Sequence, residues 1–342
     1  MNAVVDFIVV GAGPAGSIIA GLLASHGAEV ILLDQSNSHW NAVELLTAKG
    51  RRGYSELFKN INFENVGQNI YETVSLWDTP VPMSSSALFN PYGHSVAINR
   101  DEFNQYCQKF SEHSGAHIIK QTFCESCELQ NSIWNVKVVQ SNKTLLLKAR
   151  FCIQATGYKK PQLLNPNRNL TASNQFILLT RVKNFNNVYA NSFFVERCDS
   201  DWWYAIPELD DQAFVGFYTS DKKVKKPTEL FFIHQLRKTH LIKTLFSNPI
   251  INNRVRGKIS GPRIYNMVCG AQWASVGDSA FITDPLSGQG LEFALQSAQQ
   301  LFSSLFQDHT IPYQEWVNAY ANQHIKMRVL VHSDFMLSRN GV

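Results

Sequence analysis

The fold is decided by residues 4–16, which read VVDFIVVGAGPAG. The first seven of these residues are mostly β-branched or apolar, so they predict a short buried strand. Residues 17–25, SIIAGLLAS, are small and apolar and predict a helix. The glycines therefore stand at the turn between a strand and the helix that follows it.

The glycine spacing in this turn matches a phosphate-binding loop. Gly11 allows the tight turn, Gly13 lets a pyrophosphate approach the backbone, and Gly16 lets the helix pack closely on the strand. The helix N-terminus presents N–H groups to the phosphates. Asp34 ends the next predicted strand, eighteen residues after Gly16, where a carboxylate can bind the ribose hydroxyls of an adenosine. These features predict bound FAD or NAD(H), with Gly11, Gly13, Ala15, Gly16 and Asp34 as candidate binding residues.

A second glycine-rich stretch, residues 277–290, distinguishes between these two cofactors. It reads GDSAFITDPLSGQG, follows a predicted strand at residues 273–276 and leads into a predicted helix at residues 290–305. Asp278, at the strand end, suits a ribityl hydroxyl. A helix that starts near Gly288 would direct its N–H groups and positive dipole end toward the N1–C2=O edge of an isoalloxazine ring. The two stretches together predict FAD.

The order of these motifs resembles a large superfamily of flavoenzymes. A GxGxxG turn, a Gly-Asp turn and a DPxxGxG segment occur in this order in FAD-dependent aromatic hydroxylases, flavin-dependent halogenases and geranylgeranyl-reductase-like enzymes. The resemblance covers most of the chain and implies an α/β fold. That fold combines a Rossmann-like, glutathione-reductase-like FAD-binding domain with an antiparallel-sheet substrate domain and C-terminal helices. It also implies cofactor contacts for Arg100, Pro285, Gly288 and Gly290; a solvated arginine at a helix start is the alternative for Arg100.

The predicted elements divide the chain into segments that alternate between two domains. Aromatic and β-branched residues alternate between positions 176 and 218, which indicates an antiparallel sheet outside the FAD-binding domain. The predicted segments are the first part of the FAD-binding domain (1–70), substrate-domain strands (71–98), the second part of the FAD-binding domain (99–175), the substrate domain (176–257), the third part of the FAD-binding domain (258–310) and a C-terminal helix (311–342).

The composition fits a globular enzyme. The chain has 342 residues, of which 44% are hydrophobic and 17% charged, which is enough to bury a large core. The N-terminal apolar run lacks a basic leader and is interrupted by Gly11, Gly13 and Pro14, so we expect neither a signal peptide nor a membrane span. A net charge of +4 gives no basis for binding nucleic acid. We therefore expect a cytoplasmic protein with no membrane and no nucleic-acid partner.

The six cysteines are scattered, as is usual in a reducing compartment. Cys124 and Cys127 have the C-x-x-C spacing of a redox motif or of half a zinc site. The sequence has no second C-x-x-C and no nearby histidine pair to complete a metal site. Because the pair lies in a predicted ordinary strand, we interpret its spacing as coincidence and predict no metal.

Residues 202–207, WWYAIP, resemble the W-x-W-x-I-P segment of flavin-dependent halogenases. Trp202, Ile206 and Pro207 match this segment, and Tyr204 replaces its second tryptophan. In the halogenases the segment lies beside the flavin, so the resemblance implies that Trp202 and Tyr204 line the substrate site. The alternative is a strand whose aromatic side chains fill a domain interface.

Two further comparisons concern the reaction. Residues 58–63, FKNINF, loosely resemble the F-K-x-x-I-x-F string around the halogenase lysine, with one residue fewer. Lys59 would be catalytic if the protein were a halogenase; a solvated helix lysine is the alternative. Many aromatic hydroxylases carry an Asp-Gly segment tied to NAD(P)H use, and residues 155–157, ATG, stand in its place. A separate flavin reductase is therefore a candidate partner.

The resemblance as a whole implies a monooxygenase. In such enzymes reduced flavin reacts with O₂ to give a C4a-hydroperoxide, whose distal oxygen an electron-rich ring attacks. The compact length, residues 202–207 and the missing Asp-Gly segment most resemble flavoproteins that hydroxylate a tryptophan of a partner protein, maturing the cysteine tryptophylquinone of amino-acid oxidases. The expected partners are a quinoprotein oxidase precursor and O₂. Two alternatives stay open: a halogenase or reductase of a small molecule, and a non-catalytic flavin-binding maturation chaperone.

Overall fold

The computed structural model describes residues 3–35, 41–59, 61–159, 162–172, 175–219, 228–252, 254–306 and 312–337. The helices in chain order are α1 (Pro14–Ser25), α2 (Ala48–Phe58), α3 (Arg100–His113), α4 (Glu229–Leu236), α5 (Gly290–Phe306) and α6 (Tyr313–Leu337). The strands in chain order are β1 (Val4–Val10), β2 (Val30–Leu33), β3 (Val43–Leu46), β4 (Gly67–Ile70), β5 (Glu72–Leu76), β6 (Met83–Ser86), β7 (Ser95–Asn99), β8 (His117–Ile119), β9 (Thr122–Gln130), β10 (Ile133–Gln140), β11 (Lys143–Gln154), β12 (Leu170–Ala172), β13 (Gln175–Phe185), β14 (Ser192–Cys198), β15 (Asp201–Glu208), β16 (Gln212–Thr219), β17 (Phe246–Ile251), β18 (Arg256–Ser260), β19 (Arg263–Tyr265), β20 (Cys269–Gly270), β21 (Trp273–Ser275) and β22 (Phe281–Ile282).

The chain divides into two compact units, each built from separated segments. Unit 1 comprises residues 1–39, 103–172 and 262–342, and unit 2 comprises residues 40–102 and 173–261. The domain limits that we derived from the sequence stay a prediction.

Unit 1 is organised around a sheet with the strand order β20-β21-β11-β1-β2-β8. β1 pairs in parallel with β2 and with the second half of β11, while the first half of β11 pairs antiparallel with β10. All four residues of β2 are buried, as expected for a parallel strand covered on both faces. Helices α1 and α5 pack against each other. The β1 strand end and the start of α1 therefore lie within a buried layered core.

Unit 2 contains an antiparallel sheet with the strand order β17-β13-β16-β15-β14-β5-β6, in which β14 and β5 pair in parallel. Successive side chains of a strand point to opposite faces. On β15, Trp203 and Ala205 join the hydrophobic core together with Phe232 of α4. Trp202 and Tyr204 therefore point to the other face of this sheet. A smaller sheet of the same unit has the order β3-β7-β4.

A buried carboxylate fixes one corner of unit 2. Glu196 of β14 is fully buried, and its carboxylate accepts hydrogen bonds from the backbone N–H groups of His240, Leu241 and Ile242 at 2.5, 3.0 and 2.8 Å. These donors precede and begin the 3-10 helix Ile242–Leu245, whose first N–H groups have no partner within the helix. The carboxylate therefore caps this helix and ties it to the sheet.

The structure confirms the α/β fold class expected from the sequence, with parallel and antiparallel strands and helices. The helix predicted at residues 290–305 is α5, which ends one residue later. Within the described ranges, none of the helices combines the length and the apolar character that crossing a bilayer would require.

Candidate functional site

The three glycines of the first turn have different surroundings. Gly11 has a φ of +112°, and a Cβ added there would overlap the carbonyl oxygen of Ala155. A Cβ on Gly16 would overlap the carbonyl oxygen of Gly11. By contrast, among the residues that the structure describes, no atom beyond the adjoining backbone and the two neighbouring residues lies within 4 Å of the position that a Cβ on Gly13 would take. Two glycines are therefore required by packing, and the third borders open space at the start of α1.

Asp34 lies beside this turn and is held by neighbouring backbone and side chains. Its backbone N–H donates to the carbonyl oxygen of Ile119 at 3.0 Å, and its carbonyl oxygen accepts from the N–H of Thr122 at 2.8 Å. The side-chain amide of Gln108 donates to Oδ2 of Asp34 at 3.2 Å and to the carbonyl of Ala12 at 3.1 Å. Gln108 thus bridges the acid and the glycine turn. No local motif marks Gln108 in the sequence, because it lies on α3, far along the chain from the glycine turn.

The two glycine-rich stretches meet within unit 1. Gly277 has a φ of +59°, and a Cβ on it would lie 2.8 Å from the Cβ of Ala15. The N–H of Gly277 donates to Oγ of Ser297 on α5 at 2.9 Å. Asp278, half-buried, follows in the 3-10 helix Gly277–Ser279, and Oγ of Ser279 donates to the carbonyl of Gly157 at 3.0 Å. The small side chain of Ala15 is therefore part of the contact between the two turns.

A buried arginine underlies the Gly-Asp turn. Arg168 donates to the carbonyl of Ser279 and, at 3.2 Å, to Oγ of Ser275. Its guanidinium lies 3.8 Å from the centre of the Tyr265 ring. Burial lowers the pKa of Arg168 to about 10, and the neighbouring phenols Tyr265 and Tyr313 act in the opposite direction. The side chain therefore stays charged at neutral pH, and its hydrogen bonds to Ser275 and Ser279 stabilise the Gly-Asp turn. No sequence motif singled it out.

The segment 284–290 is fastened to the C-terminal helix α6. Asp284 is buried; its Oδ1 accepts from the N–H of Leu286 at 3.0 Å, and its Oδ2 accepts from Nε of Arg328 at 2.5 Å. The N–H of Asp284 donates to Nε2 of His324 at 2.7 Å. Gly288 has a φ of +62° and ends the 3-10 helix Pro285–Ser287, and Gly290 begins α5.

The protonation state of His324 follows from these contacts. Nε2 accepts from a backbone N–H, so the proton of a neutral ring is on Nδ1, which faces Oε1 of Gln289 at 3.3 Å. Burial lowers the pKa of His324, an effect that Asp284 opposes and Arg328 reinforces. A neutral His324 therefore holds both ends of segment 284–290. Neither His324 nor Arg328 lies in a sequence motif that marks it as a site residue.

The remaining candidate residues belong to unit 2. Arg100 begins α3 and donates to Oε2 of Glu44 at 2.9 Å. Trp202 stacks on Tyr218 with ring centres 3.9 Å apart and planes 5° from parallel, and the Tyr204 ring lies 6.2 Å from Trp202. Lys59 is exposed and follows the last residue of α2 with a φ of +55°.

Tyr204 lies across a glycine of the neighbouring strand. A Cβ added to Gly216 would overlap the Tyr204 ring, so the small residue makes room for it. Desolvation raises the pKa of the Tyr204 phenol, and the carboxylate of Glu44 adds to this shift. The phenol is therefore neutral at physiological pH.

Comparisons with known proteins agree with this geometry. A family model described as an FAD binding domain matches residues 4–48. The protein LodB of Marinomonas mediterranea, named as an FAD-dependent oxidoreductase, is 21% identical over 325 residues, covering 89% of this chain and 85% of LodB. Digeranylgeranylglycerophospholipid reductase 2 of Methanosphaera stadtmanae is 25% identical, covering 85% of this chain and 75% of the reductase.

The chain is an FAD-dependent oxidoreductase. Solved structures have the same fold. A flavoprotein/dehydrogenase from Cytophaga hutchinsonii superposes with a TM-score of 0.84 at 16% identity, and the match covers 97% of this chain and 86% of the flavoprotein chain. The myxobacterial chondrochloren halogenase CndH superposes with a TM-score of 0.80 at 18% identity, and the match covers 98% of this chain and 81% of the halogenase chain. Together with the FAD-binding family model and the similarity to LodB, this shared fold confirms the superfamily that we expected from the order of the motifs.

FAD is the cofactor of this oxidoreductase, and the residues present fit it. The open space at Gly13, at the N-terminus of α1, leaves room for a phosphate group close to the backbone. The contact of Ala15 with the Gly277 turn brings the two glycine-rich stretches to one place, as one extended dinucleotide requires. The roles of individual residues stay predictions.

Proposed function

We propose that this oxidoreductase is a monooxygenase that holds FAD across the two glycine-rich stretches of unit 1. The observation that carries the proposal is the meeting of those stretches at Ala15 and Gly277, with Gly13 left open beside them. Bound and reduced FAD would supply the activation of O₂. The chain's own residues bind and orient the cofactor and exclude water.

The binding roles follow from the chemistry of each group. The N–H groups at the start of α1, together with Gly11, Gly13 and Gly16, hold the pyrophosphate. Asp34, oriented by Gln108, accepts hydrogen bonds from the adenosine ribose, and Asp278 binds a ribityl hydroxyl. Pro285, Gly288 and Gly290 shape the segment that presents the N-terminus of α5 to the flavin, where its dipole stabilises negative charge.

Arg100 keeps a proposed role at the cofactor phosphates or ribityl chain. Its guanidinium has five N–H groups, and the ion pair with Glu44 uses the NH1 nitrogen. A guanidinium binds phosphate oxygens through charge-assisted hydrogen bonds.

We propose that the substrate is a tryptophan of a partner protein, the precursor of a cysteine tryptophylquinone oxidase, in the cytoplasm. The resemblance stated above and the similarity to LodB over 89% of the chain support this choice. Trp202 and Tyr204 would line the substrate site, because stacked aromatic rings favour an indole packed against them. A flavin reductase would supply the electrons, since the Asp-Gly segment is missing.

The decisive experiment measures the mass of the substrate protein. The FAD-loaded oxidoreductase is incubated with the recombinant oxidase precursor, a chemically reduced flavin supply and O₂, and the tryptophan peptides of the precursor are analysed by mass spectrometry. We expect one such peptide to gain one or two oxygen atoms, and no gain under nitrogen. Unmodified peptides in both atmospheres would contradict the proposal.

Two controls separate the alternative functions. An Asp278→Ala variant that lacks FAD but still matures the precursor would identify a chaperone. A halogenated small aromatic product that disappears in Lys59→Ala would identify a halogenase. The exposure of Lys59 at the end of α2 gives no support to a role between flavin and substrate.

A further inference from the structure

The structure gives the C-x-x-C pair on β9 a geometry that the sequence did not suggest. In a regular strand, residues three apart point to opposite faces. Here Cys124 is opposite Val138 and Cys127 is opposite Val136, because a β-bulge places Glu125 as an extra residue between them. The bulge therefore turns both cysteines to the same face, with their Sγ atoms 3.5 Å apart.

The surroundings of the two thiols differ. Cys124 is buried in the hydrophobic core of unit 1, whereas Cys127 is half-buried at the edge of that core. Lys137 of β10 and Glu125 form an ion pair of 2.8 Å over the bulge. An oxidant from solvent would therefore meet Cys127 first, and Cys124 would lie in position to attack the oxidised sulfur.

The same strand supports the acid proposed to bind FAD. β9 begins at Thr122, whose N–H donates to the carbonyl of Asp34 at 2.8 Å, and Cys124 lies two residues further on. Forming a disulfide would bring the sulfurs from 3.5 Å to about 2.05 Å and draw the two sides of the bulge together. Such a change at the start of β9 would displace Asp34.

We propose that Cys124 and Cys127 are a reversible disulfide site whose oxidation weakens FAD binding; the effect on FAD rests on the proposed role of Asp34. Hydrogen peroxide is the oxidant. The Cys127 thiolate attacks the peroxide, which breaks the O–O bond and leaves a sulfenic acid and water after proton transfer. Cys124 then attacks the sulfenic sulfur, the S–S bond forms and a second water leaves. The two thiols lose two electrons and two protons, and one peroxide is reduced to two waters.

The test uses the tryptic peptide of residues 121–137, which contains both cysteines and no others. The holoenzyme is treated with hydrogen peroxide, alkylated and digested, and FAD affinity is measured by flavin fluorescence before and after treatment. We expect the peptide to escape alkylation and lose two hydrogen atoms, and the Kd for FAD to rise at least about 5-fold, the low end of couplings between sites. Dithiothreitol should reverse both changes.

The variants Cys124→Ala and Cys127→Ser should keep their FAD affinity after peroxide, whereas Cys269→Ser, a half-buried control cysteine in unit 1, should respond like the wild type. A fully alkylated peptide, or sulfinic acid on Cys127 without a disulfide, would overturn the proposal. A disulfide that forms without a change in the Kd for FAD would overturn the proposal that oxidation weakens FAD binding. A chain that binds no FAD in either state would contradict the proposed function instead, and the peptide mass would still decide whether the disulfide forms.

Discussion

At the scale of single residues, the first turn separates packing from ligand binding. Gly16→Ala places a Cβ against the carbonyl oxygen of Gly11, whereas Gly13→Ala places one in open space. We expect Gly16→Ala to lower the free energy of unfolding of the apoprotein by about 2 kcal/mol or more, through overpacking.

Gly13→Ala should change that free energy by less than about 1 kcal/mol, because it alters only a helix N-cap. It should nevertheless weaken FAD binding, since the new methyl group occupies the space assigned to the pyrophosphate. Urea unfolding of the apoproteins and FAD titration check both variants. Equal losses of stability in Gly13→Ala and Gly16→Ala would contradict the assignment of Gly16 to packing and of Gly13 to ligand binding.

The lowered pKa of His324 predicts how the free energy of unfolding depends on pH. Its pKa is lowered from 6.5 by burial, so the folded protein holds this ring neutral where the unfolded chain begins to protonate it. The stability that His324 contributes is present above pH 6.5 and is lost as the pH falls toward the lowered pKa.

We expect His324→Gln, which keeps an acceptor for the N–H of Asp284, to lose less stability than the wild type between about pH 7.5 and about pH 5.5. Urea unfolding at the two pH values measures the difference. His94, whose pKa burial also lowers, is present in both proteins and cancels from the comparison. A pH dependence identical in the two proteins would rule out this role of His324.

At the scale of elements, the Glu196 cap joins β14 to the 3-10 helix that follows α4. Glu196→Ala leaves three backbone N–H groups without their acceptor, and we expect a loss of at least about 3 kcal/mol in the free energy of unfolding. Glu196→Gln keeps one acceptor oxygen and should lose less. Denaturant unfolding of the two variants provides the measurement, and an alanine variant as stable as the wild type would contradict the cap.

Segment 284–290 of unit 1, like the 3-10 helix capped by Glu196, is held in place by side chains of another element. Its backbone turn follows from Pro285 and Gly288, but its fastening depends on His324 and Arg328, which belong to a different helix. An element that we propose borders the cofactor is thus positioned by side chains that its own sequence does not reveal.

At the scale of the whole molecule, FAD binding and stability are linked. A ligand that binds only the folded state at about 100 times its Kd adds about 2.7 kcal/mol. We expect FAD to raise the thermal unfolding temperature of the wild type and to have a much smaller effect on Asp278→Ala. Glu315→Ala, which removes an exposed carboxylate of unit 1, is the matched control and should respond like the wild type. Equal shifts in all three proteins would argue against Asp278 as a cofactor ligand.

The sequence by itself determined the fold class, the cofactor and the superfamily, because a glycine turn between a strand and a helix is a local feature that residue types and spacing specify. It also placed the start of α5 at Gly290 correctly. Only the tertiary structure decided how Ala15 meets Gly277, and that Gln108, Arg168 and His324 support the site. These contacts join residues far apart in the chain, and no periodicity or spacing encodes them. The pair Cys124 and Cys127 shows the same limit, since a single bulge, set by pairing with β10, decides whether the two sulfurs meet.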